Sequence, residues 1–356
     1  MNRTSRYVSY LSAVASIALL GYLLRRAGVS TVVQALRLLG AGFLVLLILS
    51  GIRHGLRAIA WRLCVDPGAH PQRFLDLFTL RLMGESVTDL SPAGPFLGES
   101  VKIWAVSKSI SAKFGVTSVV IEDLVYSLGT GLFVFAGFLI LLAATARNYH
   151  LVKAGGAIFL LILAIIAAVT VTVRKSHLPE KLSLRIRNTS VGQTLVARYG
   201  QVVRSWQTGI RDFFQTRRKL LFVILSIEIA VNLISLAETY LILKGATPHA
   251  SYLDAYLVES ANRCAQLVAS FVPFGLGVDE GTTTATLHSL GRSLSEGVSV
   301  AAIRKLRSLF WDFLGLGLAA HFILARRTHA SRPSSAAQQM EDGPLTPKLA
   351  TTERIP

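Results

Sequence analysis

Phe271 to Gly281 reads FVPFGLGVDEG, a segment broken by Pro273, Gly275, Gly277 and Gly281, carrying Asp279 and Glu280, and set inside long apolar sequence. Proline lacks an N–H and glycine tolerates positive φ, so a helix is expected to stop near Val272 and a new one to begin around Asp279. In lipid an unpaired backbone group costs several kcal/mol, so broken backbone at membrane depth survives only inside protein or beside a water-filled cavity. The segment therefore marks a candidate site, with amides and a positive helix end at its second half. Its plainer reading is an extramembrane loop between two helices.

The surrounding composition places the chain in a membrane. Of 356 residues 52% are hydrophobic and 16% charged, and the mean hydropathy is +0.51, too apolar for an ordinary soluble domain. The net charge of +17 does not point to nucleic acid, because the basic excess sits in hydrophilic stretches between apolar runs, where it sets topology and attracts anionic lipid. Cys64 and Cys264 both lie in apolar sequence and read as packing residues, giving neither a disulfide framework nor a metal site.

A span needs about 20 apolar residues, and six stretches meet that length: Tyr7–Leu24, Gly42–Cys64, Val116–Ala144, Ala154–Val173, Leu220–Leu243 and Val298–Ala325. The first follows Arg3 and Arg6 like a signal peptide but lacks a clear cleavage pattern and ends at Arg25-Arg26, so it is expected to stay. Eleven Lys/Arg between Arg174 and Lys219 place that linker in the cytoplasm. Both termini follow it there, which makes the chain a multi-pass protein of the cell inner (cytoplasmic) membrane; Arg25, Arg26 and Arg37 in the first external loop run against the rule. Within the linker Val191, Leu195, Tyr199, Val202, Trp206, Ile210 and Phe213 share one helix face. That helix lies on the anionic leaflet or packs under the bundle. Residues 328–356 are polar and without periodicity, and are expected to be a disordered cytoplasmic tail.

Two further stretches, Phe74–Lys108 and Tyr252–Leu290, resemble each other. Each carries a Leu-Asp pair, at 75–76 and 253–254, and then Pro, Gly, Gly and acid in that order: Pro92, Gly94, Gly98, Glu99, and Pro273, Gly275, Gly277, Asp279-Glu280. Before the break, Arg81, Glu85 and Asp89 recur every four residues, and Glu259, Asn262, Arg263 and Gln266 stand at steps of three and four, so each helix carries a polar stripe. The expected fold is thus all-α and polytopic, six full spans plus two broken or re-entrant hairpins. The halves, about 40–150 and 220–327, form an internal repeat. Alternation of the spans makes the hairpins enter from opposite faces, the inverted-repeat plan of many transporters, with sites near the midplane.

Charges inside the spans supply the candidate ligands. Arg53 and Arg57 share one side of the second span, and Glu228, Asn232, Ser235 and Glu238 form a complementary stripe on the fifth. Glu122 and Asp123 are expected to pair with Arg304, Lys305 and Arg307 of the sixth span or to line a groove, whereas Arg62, Lys305 and Arg307 also suit snorkelling to the interface. Glu280 is expected to face the same cavity as Glu99, with Arg304 or Arg53 as its basic partner.

These residues resemble the transmembrane flippase-like domain of lysylphosphatidylglycerol synthases, which also occurs in stand-alone form. The first motif is similar in Pro92, Gly94, Gly98, Glu99 and Lys102; the second in Pro273, Gly275, Leu276, Gly277, Glu280 and Gly281, followed by Ala301, Ala302 and Arg304. Pro95 and Phe96 are inserted in the first turn, and Glu99 and Lys102 replace the commoner Asp and Arg. The resemblance covers about residues 7 to 325 and implies movement of polar or anionic phospholipid, or of lipid-linked sugar, between leaflets. Nothing after Ala325 reads as a soluble transferase, so lysyl transfer and enzymatic activity are not expected.

On this reading Arg53 and Arg57 attract phosphate. Glu99, Asp279 and Glu280 contact the head group. Glu85, Asp89, Gly94, Gly98, Lys102, Glu228, Asn232, Glu259, Arg263 and Arg304 complete the cavity, with the turn residues Pro92, Pro273, Gly275 and Gly277. No cofactor is expected, since neither a GxxxxGK[ST] motif nor a metal-ligand cluster is present. The expected partners are membrane lipids, with a biosynthetic enzyme as a further possibility. Two other classes stay open: a lipid-modifying enzyme using Glu99 and Glu280 as acid and base, and a non-catalytic membrane subunit.

Overall fold

The structure is a computed structural model and describes residues 37, 39–66, 72–91, 94–107, 109–145, 208–247, 249–268 and 277–330. Among these the chain is all-helical, with no strand. In chain order the helices are α1 (Gly42–Cys64), α2 (Phe74–Leu90), α3 (Gly94–Val106), α4 (Ala112–Thr145), α5 (208–216), α6 (Arg218–Ala246), α7 (Tyr252–Val268), α8 (Val278–Ser289) and α9 (Leu294–Ala330).

Three of them hold windows long and apolar enough to cross a membrane: Gly42–Cys64, Phe114–Ile140 within α4, and Arg218–Ala246, with mean hydropathies of 1.6, 1.7 and 2.4. The expected spans Tyr7–Leu24 and Ala154–Val173 lie outside the described residues, as do the tail beyond Ala330 and most of the 174–219 linker. The expected span Val298–Ala325 does form a helix, inside α9, but it is not among the three. Arg304, Lys305, Arg307 and Asp312 interrupt its apolar run.

Both broken stretches are pairs of helices, α2/α3 and α7/α8. Ser91 ends α2 in an extended conformation (φ −107°, ψ 141°), as the residue before a proline should. Gly277 precedes α8 at φ 80°, a left-handed conformation that glycine adopts without a Cβ penalty. Pro92, Pro273, Gly275 and the expected helix end near Val272 lie outside the described residues. The starts of α7 and α9 are fixed by reciprocal caps: the Ser251 and Asp254 amides each donate to the other residue's side chain, and Ser293 and Glu296 do the same.

The helices bury polar stripes and turn apolar faces outward, the reverse of a soluble bundle. On α6, Phe222, Ile229 and Leu233 are exposed while Glu228, Asn232, Ser235, Glu238 and Thr239 are buried. Leu44, Val45, Ile48 and Ile52 form the matching outer face of α1. With lipid as the outer solvent, close packing between helices depends on small residues. Gly315 of α9 leaves no room for a Cβ against Ser86 and the Leu82 carbonyl of α2, and Gly98 of α3 lies equally close to Thr88 and Gly84. Apolar clusters tie the helices together: Leu46, Ile242, Val258, Leu287 and Ile303 join α1, α6, α7, α8 and α9, and Trp61, Leu77, Met83 and Val119 join α1, α2 and α4. Phe213 of α5 is buried with Ala60, Cys64, Ile121, Val125 and Ile224, so this end of the amphipathic stretch packs against α1, α4 and α6. Cys64 is free and buried, Cys264 free and half-buried.

Candidate functional site

A cavity of about 390 Å³ lies between the two broken hairpins, walled by α1, α2, α3, α4, α6, α7, α8 and α9. Seven cations line it (Arg53, Arg57, Arg81, Lys102, Arg263, Arg304, Arg307), and so do seven carboxyls (Glu85, Asp89, Glu99, Asp123, Glu259, Asp279, Asp312). Its volume falls in the range of small-ligand sites, roughly 300–1,000 Å³. Most of the charges are tied to one another.

On the first half the hub is Arg81, fully buried. Its Nε meets Glu85 at 2.9 Å and its Nη1 donates to Glu122 at 2.8 Å. Arg57 reinforces both carboxylates, at 3.2 Å and 3.5 Å, and stacks over the Tyr126 ring at 3.9 Å. His54 reaches Glu85 at 2.9 Å, and Lys102 donates to Glu99 at 2.6 Å.

On the second half the hub is Glu259. It accepts from Ser235 at 2.7 Å, Thr239 at 2.9 Å, Arg304 at 2.9 Å and Arg263 at 3.2 Å. Arg263 also reaches Thr130 and lies over the Phe133 ring.

The two hubs correspond with their signs exchanged. Arg81 and Glu259 are 178 residues apart, as are Glu85 and Arg263, the same interval that separates the Leu-Asp pairs at 75 and 253. Each hub binds its own i+4 neighbour and one residue of the next long helix, Glu122 on α4 or Arg304 on α9. Gly84 and Asn262 share the interval too. Lys102 packs over Gly84 in one hairpin, whereas Asn262 donates to Thr283 at 2.9 Å in the other.

Of the residues expected from sequence, Arg53, Arg57, Glu85, Asp89, Glu99, Lys102, Glu259, Arg263, Asp279 and Arg304 line this one cavity. Arg53 is held more loosely than Arg57, with one ion pair, to Glu238 at 3.4 Å. Glu228 and Asn232 do not line it; they are buried behind its wall. Gly94 and Gly98 sit where α3 closes on α2, and Gly277 caps α8.

Several expected pairings are corrected. Glu122 pairs with Arg57 of α1 and Arg81 of α2 instead of reaching α9. Arg307 does not snorkel but forms an ion pair with buried Glu238, which also accepts from Ser50 at 3.0 Å. Lys305 reaches Glu280 at 3.7 Å, in place of Arg304 or Arg53. Glu280 is not among the lining residues: its carboxylate accepts from the Gly277 amide at 2.8 Å and caps α8. Asp279 lines the cavity instead, accepting from Gln266 at 3.2 Å. Glu280→Ala is accordingly expected to lower stability by about 0.5–2 kcal/mol, the usual loss for a helix cap. A thermal midpoint equal to wild type would show that the cap contributes nothing.

Arg81, Asp312 and Trp311 were not singled out as ligands, yet all three line the cavity. Arg81 carried a signal, standing one turn before Glu85 on the same stripe; Asp312 and Trp311 had none, lying deep in apolar sequence.

Residues 9–315 match the family described as the lysylphosphatidylglycerol synthase TM region. No curated protein and no solved structure matches the chain.

Proposed function

The chain belongs to the lysylphosphatidylglycerol synthase TM region family, and from that premise we propose that it is a flippase-like translocator carrying a polar or anionic phospholipid, or a lipid-linked head group, between leaflets. The observation that carries this reading is the charge-balanced cavity between two broken hairpins. A head group can shed water there against fixed charges while its acyl chains stay in lipid. Helix breaks beside a polar cavity are also where transporters place their sites.

In this reading the two halves form an inverted repeat with both termini cytoplasmic, in the inner membrane, and the protein transfers no lysine. The sign-exchanged hubs at a common 178-residue interval support the duplication. Arg53 is the first contact for phosphate, since it faces the cavity with a single long ion pair of its own. Lys102 and Arg304 are held by Glu99 and Glu259 and act by shaping the field.

Arg53→Ala is expected to slow movement of a fluorescent anionic phospholipid in proteoliposomes by about ten- to a hundredfold, as loss of a charged hydrogen bond of roughly 1.5–3 kcal/mol implies. Expression and melting temperature should stay near wild type. An undiminished rate in the folded variant removes Arg53 from the site, and a wild type that moves no lipid removes the translocator reading itself.

A further inference from the structure

Among the described residues Glu228, on α6, is the one fully buried acid whose two carboxyl oxygens both lack a hydrogen-bond partner. The one amide beside it, that of Asn232, is spent on the Glu228 main-chain carbonyl at 2.8 Å. From α4 the neighbour is Gly129, where a Cβ would stand only 3.0 Å from the Glu228 Cβ. Glu228 is therefore held closely in place with nothing to bind.

The cations that act on Glu228 from the neighbouring helices are already committed. On α1, Arg53 holds Glu238 and Arg57 holds Glu85 and Glu122. The acids on α4 are Glu122, tied to Arg57 and to Arg81 of α2, and Asp123, 3.9 Å from Lys102 of α3. On α7 and α9, Glu259 takes Arg263 and Arg304, and Arg307 takes Glu238. An ionised carboxylate without a donor in such a place costs several kcal/mol, whereas a neutral acid forgoes only a hydrogen bond, about 1–3 kcal/mol.

We propose that Glu228 is a proton-carrying site that couples head-group movement to a proton gradient, one proton accompanying one anionic head group. The proposal rests on the translocator reading. Among the surrounding cations, Arg57 acts on Glu228 most strongly, and Arg57 also lines the cavity. With Glu228 protonated, the guanidinium faces the cavity and supports a phosphate. When the proton leaves to cavity water, the Glu228 anion draws Arg57 toward itself and the phosphate loses its support. Proton and anion therefore load together and leave together, with no net charge moved for a monoanionic lipid.

The experiment uses the full chain in vesicles with a fluorescent phosphatidylglycerol and an imposed pH difference. Coupling of one proton shifts the steady-state distribution of the probe toward the alkaline leaflet by up to about tenfold per pH unit, a factor of ten per 1.4 kcal/mol. Glu228→Gln, which keeps shape but binds no proton, should fold with an unchanged melting temperature and leave the probe evenly distributed. A variant that keeps the asymmetry, or a wild type that moves the probe yet ignores the pH difference, overturns the proposal. The wild-type arm decides even if Glu228→Gln fails to fold. If wild type moves no probe at all, the translocator reading falls and the coupling with it. Infrared spectra report Glu228 separately: a protonated-carboxyl band absent from Glu228→Gln is expected, and its absence from wild type overturns the proton site whatever the transport result.

Discussion

Glu259→Ala is expected to lose about 3–5 kcal/mol of stability, the range found when one partner of a buried ion pair is removed. Two guanidiniums, Arg263 and Arg304, depend on this single carboxylate, and the Ser235 and Thr239 hydroxyls donate to it as well. Among the described residues no other ion pair offers either arginine a second acid. Thermal unfolding of the purified protein measures the loss. If the hubs are counterparts of a duplicated unit, the triple variant Glu259→Arg, Arg263→Glu, Arg304→Glu rebuilds the first-half arrangement in the second half and recovers part of the stability. A triple variant no better than Glu259→Ala would mean that local shape, and not the charge pattern, distinguishes the two halves.

Arg81→Ala is expected to be severe too, at about 3 kcal/mol, the low end of the same range. Arg81 is fully buried between Glu85 and Glu122, so its removal leaves two carboxylates facing each other. Arg57 still reaches both, and Lys102 lies 4.0 Å from Glu122, which offsets some of the loss. Arg81→Lys should fall between, since an ammonium cannot reproduce two directed bonds from one planar guanidinium. Equal stability of Arg81→Ala and wild type would show that Arg57 alone satisfies both acids.

These two expectations separate architecture from ligand binding. Arg57, grouped with Arg53 as a phosphate contact on the strength of their shared helix face, proves to bridge Glu85 and Glu122. Its removal therefore disturbs the wall as well as the ligand. Arg53 is the cleaner probe of binding.

Local chemistry made much of the architecture legible. Gly42–Cys64 was bounded correctly because Asp66 and Pro67 end a largely apolar run that Arg53, Arg57 and Arg62 punctuate without stopping, and both breaks were marked by proline and glycine, whose backbone limits act wherever they stand. The polar stripes of α2, α6 and α7 were visible for a similar reason: a helix repeats every 3.6 residues, so side chains at steps of three and four must share a face. Of the ten expected residues that line the cavity, Arg53, Arg57, Glu85, Asp89, Glu259 and Arg263 followed from position on a helix face, whereas Glu99, Lys102, Asp279 and Arg304 came from the motifs and the family resemblance. For the described residues the chain by itself thus determined which segments are helical and which faces are polar.

Only the tertiary structure decided who meets whom. Whether Glu122 bonds Arg81 or Arg304 depends on which helix lies alongside α4, and helix periodicity contains nothing about neighbours. Glu280 and Asp279 are adjacent in sequence and alike in chemistry, yet one caps α8 through the Gly277 amide and the other lines the cavity, because consecutive helical residues point about 100° apart. Glu228 and Glu238 lie on one stripe, and α1 and α9 bring Ser50, Arg53 and Arg307 to the second while α4 brings only Gly129 to the first. Bonds along a helix are set by the chain's own geometry; the partner of a buried charge is set by packing, and that requires the whole bundle.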